Sequence, residues 1–243
     1  MKRAYLFDID GTLTPPRQKM DEDFARFFLQ FAKDNVVYLT TGSDRPKALE
    51  QVGEDIMTAC NGVFTCCGNE FWEGDKLVYE REFYPSGKLV SFLQSCVDDS
   101  KFPTKAGRHF EQRKGMLNFS VVGRNATLEE RAKYSEWDKR KHEREEIACT
   151  ILAERRLFGN VDVAIGGEIS IDIYPVGRDK SQSVVTVRQL HALPIVFMGD
   201  KMEAGGNDYP AAKALREGDI ACDVTSWQMT ELLIRQYVEK DHD

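Results

Sequence analysis

Apolar residues along this chain come in short unbroken runs that alternate with amphipathic stretches. The first run, "AYLFDI" from Ala4, shows no polar alternation, which predicts a strand buried on both faces, as in a parallel sheet. In "DEDFARFFLQFAKDN" the residues Phe24, Phe27, Phe28 and Phe31 recur at helical spacing, and Asp21 to Asp23 suit a helix N-terminus. "VVYLTT" reads as a second buried strand, and "DRPKALEQVG" as a helix ending at Gly53. Strand, helix, strand, helix is the order of an open α/β sheet.

The pattern then changes. "NGVFTCCGNEFWEGDKLVYEREF" holds a third short strand and a hairpin turning around Glu73-Gly74-Asp75. "SGKLVSFLQSCVDD" is helical, and "HFEQRKGMLNFSVVGR" gives two alternating strands around Lys114-Gly115. "LEERAKYSEWDKRKHEREEIACTILAERRL" predicts one long charged helix that buries Trp137, Ile147, Ile151 and Leu152. "VDVAIGG" and "ISIDIYP" alternate again, so this stretch fits an α+β insert with an antiparallel sheet. After "YPVGRDK" the first style returns: helix "KSQSVVTVRQL", buried strand "PIVFMGD", helix "YPAAKALREG", strand "DIACDV" and a final helix "WQMTELLIRQYVEK". The expected organisation is an α/β core made of residues 1–81 and 178–243, interrupted by an insert at 82–177.

Composition narrows the function classes. A chain of 243 residues can bury a substantial core, in one large domain or two modest ones. The formal net charge of −7 argues against general affinity for nucleic acid or an anionic membrane. No apolar stretch approaches the roughly 20 residues of a membrane helix. The apolar part of "MKRAYLFDIDG" is too short for a signal peptide, so a cytoplasmic protein is expected. The six cysteines form no CxxC pair and no metal-ligand pattern with the four histidines. They are expected to be reduced thiols, mostly buried.

Candidate chemistry collects where the inferred core strands end, which is where open α/β sheets keep their sites. The first strand ends at Asp8 and Asp10, and the second at Thr40, Thr41 and Ser43. Lys180 opens the helix that re-enters the core, and the late strand ends at Asp200, followed by Asn207 and Asp208. Oxygen-only ligands favour a hard cation, Mg²⁺ being the usual choice beside phosphate. A cation plus a lysine neutralises phosphoryl charge, and an aspartate can serve as covalent nucleophile. A second carboxylate two residues on can give a proton to the leaving oxygen and take one from the incoming hydroxyl. Asp, Gly and Thr after a strand also serve plain turns, but four such elements at strand ends are harder to reach by accident.

These residues resemble the haloacid dehalogenase superfamily of aspartyl phosphotransferases, and within it the eukaryotic-type phosphomannomutases. The stretches that carry the resemblance are "FDIDGTLTPPR", "GSDRPKALEQVG", "RKGMLNFSVVGRNATLEER", "AIGGEISIDIYPVGRDK" and "FMGDKMEAGGND". The resemblance implies a Rossmann-like core with an inserted α+β cap, a site between them, and a homodimer through the caps. It implies Asp8 as nucleophile and Asp10 as general acid/base. Mg²⁺ would be held by Asp8, the backbone carbonyl of Asp10 and Asp200, supported by Asn207 and Asp208. Ser43 and Lys180 would bind the transferring phosphoryl group, with Arg17 near the sugar phosphate. In the cap it implies Arg113, Arg124 and Arg131 for a second phosphate, and Ser170 and Asp172 for sugar hydroxyls. The implied reaction interconverts mannose 6-phosphate and mannose 1-phosphate, with a hexose 1,6-bisphosphate as activator, and feeds GDP-mannose synthesis.

Arginine forks suit phosphate oxygens, and Ser170 and Asp172 alternate on one strand, so both face the same way. The chain departs from the family pattern in "CCGNEFW" where Glu-Asn-Gly is usual, in Glu168 for Gln, in Arg178 for an aromatic, and in "TTGS" for Gly-Gly-Ser. Glu168 stands two residues before Ser170 and is expected to share its face. Two rivals remain: a Mg²⁺-dependent sugar-phosphate phosphatase of the same superfamily, and a non-catalytic sugar-phosphate-binding protein.

Overall fold

In the computed structural model, which describes residues 2–166 and 168–242, the first apolar run forms strand β1 (Ala4–Asp8), buried throughout. Gly167, the last residue of the stretch "VDVAIGG", lies outside the described residues, as do Met1 and Asp243. Helix α1 (Glu22–Asp34) is capped by Asp21, whose carboxylate accepts from the N–H groups of Asp23 and Phe24. Its Phe28 and Phe31 meet Phe7 edge-on, with ring centroids 5.2 and 6.2 Å apart. Strand β2 (Val36–Thr40) leads into α2 (Arg45–Val52), which Asp44 caps and Gly53 ends. A further helix, α3 (Glu54–Ala59), follows at once; six residues are too few to show a helical period in the sequence.

Strand β3 (Gly62–Thr65), a 3₁₀ turn at Cys66–Gly68, and the hairpin β4 (Glu70–Glu73) and β5 (Lys76–Glu80) complete the first pass. The insert carries α4 (Gly87–Asp99), β6 (Phe110–Arg113), β7 (Met116–Phe119), α5 (Leu128–Lys141), α6 (Glu143–Ala153), β8 (Val161–Gly166) and β9 (Ser170–Pro175). The chain returns through α7 (Ser181–Leu190), β10 (Ile195–Gly199), α8 (Tyr209–Lys213), β11 (Ile220–Asp223) and α9 (Trp227–His242). It divides into two compact units, Met1–Arg81 with Arg178–Asp243, and Glu82–Gly177.

The first unit holds a seven-stranded sheet in the order β11-β10-β1-β2-β3-β4-β5. β1 pairs parallel with β2 on one side and β10 on the other, and only the β4–β5 end is antiparallel. Alternate residues of β1 feed two cores: Tyr5 and Phe7 on one face, Ala4 and Leu6 on the other. The connections leave β1 in opposite directions, so the crevice beyond its carboxyl end is the switch point of the sheet.

The second unit is a four-stranded antiparallel sheet in the order β6-β7-β9-β8. Leu117, Phe119, Ile171 and Ile173 pack on Leu89 and Leu93 of α4, Tyr134 of α5, and Ile147 and Ile151 of α6. The opposite face carries polar residues in register: Glu111 pairs with Asn118, and Asn118 with Asp172.

Three expectations are corrected. The single long helix over 128–157 is two helices, broken at His142, which adopts a left-handed φ of 56°. The carboxylate of Asp138 accepts from Arg144 N at 2.9 Å and Arg144 Nε at 2.7 Å, which fixes the break, and Leu152 is left exposed. α8 stops at Lys213, well short of the predicted end. Of the six cysteines only Cys60 and Cys66 are buried; Cys67, Cys96 and Cys222 are half-buried and Cys149 is exposed.

Candidate active site

Asp8 closes β1 and is in register with Thr40, the last residue of β2. Lys180, immediately before α7, is fully buried. Its Nζ donates to Asp8 Oδ1 at 2.5 Å and to Asp208 Oδ1 at 2.7 Å. The second oxygen of Asp208 accepts from the backbone N–H groups of Asp200 and Lys201, at 3.1 and 3.2 Å, which folds the loop after β10 back on itself. One carboxylate oxygen from each of Asp8, Asp200 and Asp208 lies within 4.8 Å of the others. Gly11 makes room for this: its φ is +81°, and a Cβ there would sit 2.3 Å from Asp200 Oδ2.

The charges do not balance by themselves. Burial pushes the Asp8 carboxyl up to about 8, opposed by the Lys180 ammonium but reinforced by Asp208 and Asp200. Asp200 is raised as well, by burial and by Asp208. Lys180 is driven upward because the attraction of Asp208 and Asp8 outweighs the burial that would lower it. Three carboxylates face the buried Lys180 ammonium and, 3.8 Å from Asp200 Oδ2, the exposed Lys201 ammonium, so acid groups still outnumber basic ones. Asp8 Oδ2 is also buried with no hydrogen-bond partner among the described residues. An all-oxygen donor set with acid groups in excess fits a hard divalent cation.

The Asp10 carboxylate has partners of its own. Its Oδ1 accepts from Arg17 N at 2.6 Å and from Gln51 Nε2 at 2.9 Å. Gln51, on α2, is buried and also donates to Thr14 Oγ1 at 3.1 Å. It was not legible as a site residue, because it comes 41 positions after Asp10 inside an ordinary helix. Arg17 reaches Asp10 through its backbone, at a left-handed φ of 61°, while its side chain is exposed. Ser43 is half-buried beyond β2; its carbonyl accepts from Cys66 N at 2.8 Å, tying the loop to the Cys66–Gly68 turn. Asn207 is exposed.

A second polar set lies on the antiparallel sheet. Arg124 donates Nη1 to Ser170 Oγ at 3.0 Å, and its Nε is 2.8 Å from Glu111 Oε2. Arg113 Nη2 is 3.1 Å from the same Glu111 oxygen. Arg131 Nη2 donates to the Arg124 carbonyl at 2.7 Å, and Nε to the Ala126 carbonyl at 3.0 Å. Asn118 Nδ2 donates to Asp172 Oδ1 at 2.5 Å, and burial pushes the Asp172 carboxyl up. The structure thus brings Arg113, Arg124, Arg131 and Ser170 into one network, with Asp172 on the same face of β9. Glu168 does not join them by strand alternation: it lies in the turn before β9 and is exposed. Glu111 is a member that sequence reasoning missed; its Glu-x-Arg spacing with Arg113 on one strand was the available signal.

Solved structures share the fold. A haloacid dehalogenase-like hydrolase from Bacteroides thetaiotaomicron matches with a TM-score of 0.61 at 14% identity, over 98% of this chain and 100% of that one. Trehalose-6-phosphate phosphatase from Aspergillus fumigatus matches with a TM-score of 0.58 at 17% identity, over 98% and 93%. The chain has the fold of that haloacid dehalogenase-like hydrolase, with an acidic crevice at the switch point of its sheet. The model of the eukaryotic phosphomannomutase family matches residues 24–239. Phosphomannomutase from Dendrobium officinale is 35% identical over 211 residues, 84% of this chain and 82% of that protein. The Nicotiana benthamiana phosphomannomutase is 32% identical over 244 residues, 98% and 95%. The chain belongs to the eukaryotic phosphomannomutase family.

Proposed function

We propose that this chain is a Mg²⁺-dependent phosphohexomutase that interconverts mannose 6-phosphate and mannose 1-phosphate. The observation that carries this reading is Asp8, buried at a strand end with one oxygen on Lys180 and the other unpartnered. Asp8 attacks a phosphorus of hexose 1,6-bisphosphate. The bond from phosphorus to the sugar oxygen breaks, and Asp10 gives its proton to that oxygen. In the return step a hydroxyl of the sugar monophosphate passes its proton to Asp10 and takes the phosphoryl group, which frees Asp8. Asp10 Oδ1 is occupied by two N–H donors, so Oδ2 is the oxygen left to carry the proton.

Lys180 and the Ser43 hydroxyl bind the transferring group. Asp8, Asp200 and Asp208, with the carbonyl of Asp10 and support from Asn207, would hold Mg²⁺, which supplies positive charge to the phosphoryl oxygens. A bisphosphate that must turn round needs recognition for its second phosphate. Arg113, Arg124 and Arg131 suit that phosphate, Ser170 and Asp172 the sugar hydroxyls, and Arg17 the sugar phosphate nearer the nucleophile. Family membership supports the mutase over a phosphatase, which has no use for a second phosphate set.

The thiols support a cytoplasmic setting, since no disulfide joins any of the six. We read Glu82–Gly177 as the cap and as the face of a homodimer, and the product as feeding GDP-mannose synthesis. A coupled assay tests the function: glucose 6-phosphate formed from glucose 1-phosphate plus bisphosphate is expected, with mannose 1-phosphate run in parallel. Release of inorganic phosphate without sugar phosphate would make the protein a phosphatase instead.

A further inference from the structure

The arginine face carries its own anion. Oε2 of Glu111 is shared between Arg113 Nη2 at 3.1 Å and Arg124 Nε at 2.8 Å. Burial would raise the Glu111 carboxyl, but Arg113, Arg124 and Arg108 together hold it below the usual carboxylate range. Arg131 adds a third positive charge that bears on Arg124, and it is oriented by two backbone carbonyls rather than by a carboxylate. Arg113 Nη2 donates to that oxygen, while Arg124 Nε, buried and making no hydrogen bond among the described residues, faces it as a charge. Glu111 and a phosphate therefore compete for Arg113 Nη2 and for the charge of Arg124, and they repel each other. The pairs around Glu111 are partly exposed, so exchanging one anion for the other costs little.

We propose that Glu111 is a built-in counter-anion of the arginine set: it keeps Arg113 and Arg124 in place while no phosphate is bound, and it weakens their grip when one is. This rests on the mutase function proposed above, in which the bisphosphate must let go and rebind the other way round. A set that gripped the phosphate too firmly would hold the bisphosphate in one orientation. Glu111 is thus a positioning residue that trades affinity for release.

The test uses the full chain with Mg²⁺ in an Asp8→Asn background, titrated calorimetrically with glucose 1,6-bisphosphate. Adding Glu111→Gln is expected to tighten binding by about three- to tenfold, the scale of a partly exposed charge removed from a phosphate's neighbourhood. With Asp8 intact, Glu111→Gln is expected to lower KM for mannose 1-phosphate and to lower kcat, because release slows; simple damage to the site would raise KM. Glu111→Ala removes the charge without a new polar group and must move binding the same way. Unchanged or weaker binding in these variants, with melting temperatures near that of the parent, overturns the inference. Arg124→Ala in the Asp8→Asn background tests the function beneath it: if bisphosphate binding does not weaken, the arginine face holds no phosphate, whatever Glu111 does.

Discussion

At the end of β1 the side chains of Lys180, Asp8 and Asp208 are 0%, 3% and 0% exposed, and each charge is fixed by partners 2.5 to 2.7 Å away. On the antiparallel sheet the side chains of Arg113, Arg124 and Glu111 keep 33%, 20% and 28% of their surface. The first set sits where strands end and helices begin, so its positions follow from the backbone of the sheet. The second is built from long side chains that project from one face and reach one another across strands. Buried charges cannot rearrange cheaply, which suits a nucleophile that must meet phosphorus in one geometry. Half-exposed pairs exchange partners at little cost, which suits a group that has to take hold of an anion and release it. In the proposed function, one chain thus separates chemistry from grip by how deeply it buries its charges.

The sharpest way to break this contrast is at Asp8. Asp8→Asn is expected to lower mutase turnover by at least about a thousandfold while leaving bisphosphate binding measurable, as steady-state rates and calorimetry would reveal. Lys180→Met strikes the same cluster from the other side. It leaves Asp8 and Asp208 buried without their shared cation, and urea unfolding in a chelator is expected to show a loss of about 3–5 kcal/mol. Added divalent cation should recover part of that loss.

Gln51→Leu removes a donor from Asp10 without touching the carboxylate cluster. kcat is expected to fall about ten- to a hundredfold with KM within about twofold, and no change in kcat would mean that the Arg17 N–H alone orients Asp10. In the softer region, Arg124→Ala is expected to raise KM for the sugar phosphate about tenfold and to spare the fold, as paired kinetic and melting curves would show. The last test is one of pH. Asp8 keeps its proton to about pH 8 when folded but only to its ordinary 3.8 when unfolded. The folded state therefore binds the extra proton between these values, and stability of the cation-free chain falls as pH rises through that window. Melting curves in chelator should decline from about pH 4 to about pH 8 in the native chain, and decline less in Asp8→Asn.

What the sequence made legible follows the same division. The strands of the first unit read clearly because burial on both faces writes unbroken apolar runs; Asp8 and Asp200 stand at the ends of two of them, Lys180 opens a helix, and Asp208 follows the loop after β10. Partners that meet only in three dimensions leave no such mark: Gln51 lies mid-helix, and Glu111 looks like any polar residue of an alternating strand. The break at His142 did carry a signal that helical periodicity overrode. Lys139, Arg140 and Lys141 close one helix, and Glu143, Glu145 and Glu146 open the next, each set matched to its helix dipole. Glu168 was placed on the Ser170 face by counting alternation beyond the point where the strand begins.

In the proposed reaction the phosphoryl group passes through Asp8. Brief incubation with hexose 1,6-bisphosphate, an acid quench and peptide mass spectrometry test it most directly. The peptide containing Asp8 should carry one added phosphoryl group, and a chase of mannose 6-phosphate before the quench should remove it as mannose bisphosphate. An unmodified Asp8 peptide during active turnover, or a phosphoryl group that the chase sends only to water, would contradict the account.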